Sequence, residues 1–148
     1  MPWLVVVIIA SFFANESGLP LLPLPEWLSY LTAALLAVLG ISLLALGMKV
    51  CPLRVIGGRD RSMLVTKGVY SYVRHPICLS CMLLAFSAAI GFRSSVGLTI
   101  AILALIIAYV HASFEERELE RRFGRAYREY KSRVGMFVPK RKSTKTTE

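Results

Sequence analysis

The chain has 148 residues, of which 55% are hydrophobic, and its formal net charge at pH 7 is +9. Its mean hydropathy is +0.59, and a soluble domain of this size has only about 45–50% apolar residues, so no ordinary soluble domain is expected. A strongly basic chain binds either nucleic acid or an anionic membrane surface. Because the basic residues lie next to long apolar runs, the membrane explains them, and no nucleic-acid partner is expected.

Four apolar runs follow one another along the chain. Residues 2–14 form a run of 13, residues 27–48 a run of 22, and residues 76–92 and 94–110 runs of 17 each, the last extending to Phe114 if His111 is tolerated. A spanning helix needs roughly 17–25 such residues. The first run could be a short span, a re-entrant piece or a signal-like segment, and the absence of a basic stretch before it favours a short helix. We therefore expect an all-α integral membrane protein with about four transmembrane helices.

The basic residues predict the orientation of these helices. The segment between the second and third runs has six Lys or Arg residues against one Asp, and the C-terminal part has eleven basic residues. The loop between the first two runs contains Glu16 and Glu26 but neither Lys nor Arg. Basic loops stay in the cytosol, so both termini and the 49–74 loop are predicted to be cytosolic.

A further helix is predicted after the fourth run. Apolar and aromatic residues recur there at spacings of 4, 4, 3 and 4, at positions Leu119, Phe123, Tyr127, Tyr130 and Val134. This period is typical of an amphipathic helix, and the Arg residues between them are expected to form a solvated basic face near lipid. We predict one membrane domain over residues 1–139 and a polar, disordered tail over residues 140–148.

The three cysteines are Cys51, Cys78 and Cys81. The last two form a C-x-x-C spacing, but the βαβ context of a redox motif is absent. A metal site with His75 would lack a clear fourth ligand. We therefore interpret these cysteines as small packing residues and expect no metal.

Two polar motifs at the ends of the apolar runs are the candidates for chemistry. Arg74-His75-Pro76 opens the third run, where Pro favours the first helical turn and Arg can be a simple anchor. The turn at Lys67-Gly68 and the aromatic residues after it favour a ligand-binding loop. Glu115 and Glu116 follow the fourth run, where carboxylates are costly. These two acids indicate either contact with a cationic ligand or pairing with Arg74 or Arg117.

Together these motifs resemble the isoprenylcysteine carboxyl methyltransferase family and its bacterial relatives, which share a core with phospholipid methyltransferases. The resemblance covers roughly residues 62–139, from Leu64-Val65-Thr66-Lys67-Gly68-Val69-Tyr70 through Arg74-His75-Pro76 to Glu115-Glu116 and the stripe that follows. It implies an integral membrane enzyme that uses S-adenosylmethionine at the cytosolic edge. The implied acceptor is a membrane lipid or a prenylcysteine-like group, methylated on a carboxylate or, alternatively, on an amine.

The resemblance also implies site residues. Cofactor contacts would fall on Ser62, Met63, Leu64, Val65, Tyr70, His75, Pro76, Ile77, Cys78 and Glu115. Catalytic roles would fall on His111, facing the acceptor, and on Glu116.

The chain departs from the family pattern at three positions. Where the family has Tyr and Gly after the Arg-His-Pro motif, this chain has Cys78 and Ser80, and where the prenylcysteine enzymes have an Arg four residues before the first Glu, it has His111. These departures affect the prenylcysteine assignment more than the methyltransferase assignment. Two alternatives stay open, namely a membrane reductase of the sterol type with a nicotinamide cofactor, and a non-catalytic membrane relative or partner subunit.

Overall fold

The computed structural model describes residues 2–18, 21–51 and 63–140, and these contain five α-helices and no strand longer than an isolated bridge. The helices are α1 (Pro2–Glu16), α2 (Glu26–Val50), α3 (Pro76–Gly91), α4 (Ser95–Phe123) and α5 (Arg125–Arg133). A short 3₁₀ helix, Gly68–Ser71, precedes α3. The predicted all-helical class is therefore confirmed over this part of the chain.

Two helices are long and apolar enough to cross a membrane. These are α2, with 25 residues, and α4, with 29 residues. The first and third runs form shorter apolar helices, of 15 residues in α1 and 16 in α3. At 1.5 Å per residue these two reach about 22–24 Å, less than the roughly 30 Å hydrocarbon core. Crossing by all four helices remains a prediction.

Many large apolar side chains of α2 and α4 point outward. Leu35 is 62% exposed, Val38 65% and Ile107 62%. Apolar surface that extends along two helices in this way is unfavourable in water and suits lipid. Together with the family described below, these surfaces indicate a membrane protein.

Small residues bring the helices close together. The buried face of α4 consists of Gly97, Ala101, Ala104, Ala108 and Ala112, and it continues at the next turn with Glu116. Ser11 of α1 lies against Gly97, where an added Cβ would overlap its side chain. In a membrane, small residues permit the close backbone approach that drives helix association, so α1 belongs to the bundle although it is short.

The turns between the helices meet at the end of the bundle opposite the Arg-His-Pro motif. Arg93 Nη1 lies 2.9 Å from Glu26 Oε1, which joins the α3–α4 turn to the start of α2. The backbone N–H of Leu22 donates to the carbonyl of Arg93 at 2.6 Å. Because the α1–α2 and α3–α4 connections lie at the same end, the four helices alternate in direction.

The helix predicted after the fourth run is interrupted. Gly124, with φ 53° and ψ −119°, ends α4 and starts α5, which has only nine residues. A residue with a side chain rarely adopts positive φ, so glycine permits this bend. The predicted stripe of Leu119 to Val134 is thus divided between two helices, and α5 is turned back toward the motif before α3.

Candidate active site

The segment before α3 is held by backbone pairing with the C-terminal end of the described chain. Val73 forms a parallel bridge with Gly135. The N–H groups of Arg74 and His75 donate to the carbonyls of Gly135 and Met136 at 2.9 and 3.1 Å. This pairing fixes the direction of the Arg74 and His75 side chains before Pro76 begins α3.

Glu115 and Glu116 occupy different environments although they are adjacent. Successive residues of a helix are about 100° apart around its axis. Glu116 therefore continues the buried small-residue face and is 3% exposed. The Glu115 side chain is 52% exposed and lies at the edge of the bundle.

Glu116 is the centre of a buried network of charges. Its Oε1 lies 2.8 Å from Arg74 Nη2, and its Oε2 lies 3.2 Å from Lys131 Nζ of α5. Arg74 Nη1 also donates to the carbonyl of Lys131 at 3.1 Å. A buried carboxylate is tolerated when it is paired in this way. Of the two partners considered from the sequence, Arg74 is the one found, whereas Arg117 lies over the Phe114 ring at 5.5 Å.

His75 lies between the two acids. Its Nδ1 is 3.7 Å from Glu115 Oε2, and its Nε2 is 3.5 Å from Glu116 Oε1. The Phe137 ring covers the imidazole at a centroid distance of 6.0 Å. The two motifs that the sequence singled out, some forty residues apart along the chain, therefore form one cluster.

Three tyrosines surround this cluster, of which Tyr70 and Tyr127 are buried and Tyr130 is half-buried. The phenol of Tyr130 donates to the Tyr70 carbonyl at 2.6 Å, and Tyr127 is only 1% exposed. Burial raises the pKa of Tyr130 to about 12, and burial is also the main cause of the raised pKa of Tyr70 and of Tyr127. These phenols are neutral near pH 7, so they can donate hydrogen bonds but are poor bases.

The other predicted cofactor residues lie on either side of this cluster. Met63 is 57% exposed, whereas Leu64 and Val65 are half-buried in the extended segment before the 3₁₀ helix. Ser62 lies outside the described residues. Tyr70 and Pro76 are buried and Ile77 is half-buried against α2 at Gly47.

The two remaining predicted site residues, Cys78 and His111, differ in their exposure. Cys78 is buried with Met82 and Ala108, against Trp3 and Phe137, which agrees with the packing role predicted for the cysteines. His111 is exposed on α4, one turn before Glu115. The expected common face of His111 and Glu115 is therefore present, and it lies beside the buried face of α4.

Sequence reasoning missed several residues of this region. Lys131 neutralises Glu116 across the bend at Gly124, and Gly135 and Met136 pair with the segment before α3. Tyr127, interpreted only as part of an apolar stripe, places its phenol oxygen in the interior without a hydrogen-bond partner among the described residues. The Phe123-Gly124 pair was the available signal, because Gly often follows the last helical residue.

Two of the cavities in the described part of the chain do not include His75 or Glu115. One lies at the bend between α4 and α5. The other lies at the opposite end of the bundle, around Tyr30 and Arg93. Within the same residues, no group of three His, Cys, Asp or Glu side chains is arranged to hold a metal ion.

The sequence model of phospholipid methyltransferases matches residues 28–126, which include most of α2 and all of α3 and α4. The chain belongs to the phospholipid methyltransferase family. The match contains both the Arg-His-Pro motif and the two acids. It confirms the recognised methyltransferase core, and it favours a membrane-type methyltransferase over a sterol-type reductase.

Three named proteins are similar to this chain. The chain is 41% identical over 75 residues to methanethiol S-methyltransferase 1 of Bradyrhizobium diazoefficiens, covering 51% of this chain and 26% of that protein. It is 38% identical over 77 residues to methanethiol S-methyltransferase of a Pseudomonas species, covering 52% and 29%. It is 36% identical over 117 residues to cobalt-zinc-cadmium resistance protein CzcN of Cupriavidus metallidurans, covering 77% and 52%.

The chain therefore spans about half the length of CzcN and under a third of the two methyltransferases. No solved structure matches it.

Proposed function

We propose that this protein is an integral membrane S-adenosylmethionine-dependent methyltransferase whose site lies at the cytosolic edge of the bilayer. The observation that carries the proposal is the position of His75 between Glu115 and Glu116, 3.7 and 3.5 Å from their nearest oxygens. This cluster joins the start of α3 to the end of the apolar part of α4. It therefore lies where a water-soluble cofactor and a lipid-soluble acceptor can both arrive.

The charges of the cluster fit a cationic cofactor. Arg74 and Lys131 already offset the Glu116 carboxylate. Glu115 is half-exposed, and among the described residues its ion-pair partner is the His75 imidazole. S-adenosylmethionine, when bound, supplies a methyl group on a positively charged sulfur and carries an amino group and ribose hydroxyls. Glu115 is the carboxylate available to accept hydrogen bonds from such groups.

The residues of this chain would bind and orient the cofactor. Glu115 would accept hydrogen bonds from the cofactor, and His75 would offer a ring nitrogen beside it. Tyr70 and the start of α3 would line the pocket, with Ser62, Met63, Leu64 and Val65 contributing from the preceding segment. Glu116 would act mainly through Arg74 and His75, whose side chains it holds in place.

The acceptor is expected to be lipidic, with a carboxylate favoured over an amine. A carboxylate nucleophile needs no general base, so the protein only has to align the reacting atoms at about 3–3.5 Å. An amine must lose a proton, and His111, exposed one turn from Glu115, is the group on that face of α4 suited to receive it. A low-dielectric surrounding favours the union of opposite charges, since water no longer stabilises them separately.

A thiol acceptor is the second candidate. It is favoured by the two relatives named methanethiol S-methyltransferase, which are 41% and 38% identical to this chain over about half of it. A thiol reacts as its thiolate, so this acceptor, like an amine, would call for a base, and His111 is again the exposed candidate.

The proposed orientation keeps both termini and the 49–74 loop in the cytosol. Arg74, Lys131 and the arginines of α5 lie at the end of the bundle that contains the cluster. Glu26 and Arg93 form their ion pair at the other end. Basic residues concentrate on the cytosolic side of membrane proteins, so the cofactor would approach the cluster from the cytosol.

The test is methyl transfer by the full chain in lipid nanodiscs. Labelled S-adenosylmethionine is supplied with three acceptor classes, namely lipid extract with free carboxylates, amine lipids and small thiols, and cofactor binding is measured by calorimetry. Glu115→Gln should weaken cofactor binding by about 10- to 100-fold, the effect of removing a charge-assisted hydrogen bond. Glu118→Gln, an exposed acid on the same helix, is the matched control and should bind like wild type.

Two results would contradict the proposal. Wild-type protein that is folded but binds no S-adenosylmethionine would favour the non-catalytic or the reductase alternative, and binding of a nicotinamide cofactor would select the reductase. Equal cofactor affinity in wild type and Glu115→Gln would remove Glu115 from the site.

A further inference from the structure

The bend between α4 and α5 forms an open, basic cavity at the protein surface. It has a volume of about 500 Å³ and is lined by Arg117, Glu120, Arg121, Gly124 and Arg128. Three of these five residues are arginines and one is an acid. Because Arg128 comes from α5 and the others precede or form the bend, the cavity exists only because Gly124 turns the chain back.

The arginines of this cavity are largely free to meet an anion. Glu120 lies 3.7 Å from Lys131 and 4.0 Å from Arg128, so its charge is shared with two bases. Arg117 contacts the Phe114 ring, and Arg121 has no ion pair with any residue that the structure describes. The cavity therefore has an excess of positive charge and of unused N–H donors, which suits a phosphate group.

The cavity lies next to the end of the apolar run of α4, and therefore near the membrane surface. Phe114 is the last residue of the apolar run and is 61% exposed, directly below the Arg117 guanidinium. An apolar ring next to a guanidinium cluster offers contact to an acyl chain and to a headgroup at the same place. A free phosphate would contact only the arginines of this surface and not the Phe114 ring.

The cavity is separate from the cluster around His75. Arg117 is two residues after Glu115, which places it about 200° around the helix axis. The cavity thus opens nearly opposite the face that carries Glu115 and His111. A molecule bound there would not be aligned with the proposed methyl-transfer site.

We infer that this cavity binds the phosphate of an anionic phospholipid headgroup, with the lipid held as a structural partner and not as the methyl acceptor. The three arginines contact the phosphate, and Phe114 contacts the glycerol and acyl region. Each basic residue near an anionic lipid headgroup strengthens binding, so the loss of two of them has a measurable effect. The bound lipid also ties α5 to the membrane surface and so supports Lys131 of the same helix.

The experiment measures lipid binding by the full chain in neutral detergent, without cofactor. Phosphatidylglycerol, which has no amine to methylate, is compared with phosphatidylcholine by native mass spectrometry and by thermal shift. Arg121→Gln/Arg128→Gln removes one cavity arginine from each helix. Arg122→Gln/Arg125→Gln removes one arginine from each helix outside the cavity, and it is the matched control.

We expect wild type to prefer phosphatidylglycerol, the cavity variant to lose about tenfold or more of that affinity, and the control to lose less than about threefold. Arg121→Lys/Arg128→Lys keeps the charge and should keep most of the binding. Equal losses in the two Gln variants would overturn the site in favour of diffuse surface charge. Equal affinity for both lipids, or displacement of the lipid by millimolar inorganic phosphate, would overturn the headgroup assignment.

Discussion

Arg74 and Glu116 meet inside the protein, with Nη2 of the arginine 2.8 Å from Oε1 of the glutamate and less than a tenth of either side chain exposed. The pair connects the residue two before α3 to the inner face of α4. Lys131 contacts the second oxygen of the same carboxylate from α5. One carboxylate thus fixes the relative positions of three segments that surround His75.

Glu116→Gln should strongly destabilise the fold. It leaves Arg74 buried with a neutral partner, and breaking a buried ion pair from one side costs about 3–5 kcal/mol. Glu118→Gln disturbs an exposed pair with Arg122 and should cost at most about 1 kcal/mol. Denaturant unfolding in micelles measures both. Similar losses of stability in the two variants would show that the buried Arg74–Glu116 pair stabilises the fold no more than the exposed pair does.

Gly135→Ala should disrupt the pairing before α3. An added Cβ would overlap the Val138 carbonyl oxygen, so the backbone that accepts from Arg74 and His75 must move. The amides of these two residues should then exchange with solvent faster, and methyl transfer should fall with them. Hydrogen exchange by mass spectrometry checks this. Gly18→Ala, where an added Cβ meets no atom within 4 Å, should leave those two amides protected.

Gly97→Ala should separate α1 from α4, because its Cβ would overlap the Ser11 side chain. Ser11→Gly alone should cost about 1 kcal/mol through helix propensity. The double variant removes the overlap and should therefore be more stable than Gly97→Ala. Thermal unfolding of the two single variants and the double variant measures this coupling. If the two changes were merely additive, α1 would not be packed on α4 at this position.

Tyr130→Phe should destabilise the cluster by about 1–3 kcal/mol, because the Tyr70 carbonyl loses its donor. The folded-state pKa of Tyr130 is raised from 10.0 to about 12. The neutral phenol is therefore the form that the fold stabilises. Its full contribution is present below pH 10, and it is lost as the pH rises from about 10 to about 12.

Wild type should accordingly lose more stability over this alkaline range than Tyr130→Phe. Unfolding curves collected across the range test the difference. Tyr72→Phe, at a residue that is 67% exposed, should follow wild type. Parallel curves for wild type and Tyr130→Phe would contradict the raised pKa that burial gives the Tyr130 phenol.

The helices were predictable because apolar length is a strong signal. The run 27–48 forms the helix Glu26–Val50, which has a charged residue in its first and last turns. The run 76–92 forms the helix Pro76–Gly91, which begins at a proline. The fourth helix continues to Phe123, well past its apolar run. Its charged last turns contain the Glu118–Arg122 pair, which stabilises a helix outside the membrane.

The meeting of His75 with Glu115 and Glu116 could also be anticipated, from the resemblance and from the position of each motif at the end of a run. The contacts of Lys131 and Gly135 could not be anticipated. An isolated ion pair and a pairing of two or three backbone groups leave no periodic pattern in the sequence. The bend at Gly124 was hidden by an apolar spacing that continues through it. Gly124 marks a possible helix end in the sequence, and its positive φ in the structure shows that α5 changes direction.

The backbone pairing of Val73 with Gly135 has a consequence for biosynthesis. A chain is made from its N-terminus, so the helices can enter the bilayer while the residues that fasten the Arg74-His75 segment are still on the ribosome. A polypeptide truncated shortly before Gly135 would insert normally, but its Arg74-His75 segment would lack the backbone pairing that holds it in place. Activity would thus be acquired only after Gly135 and Met136 have been translated and have paired with this segment.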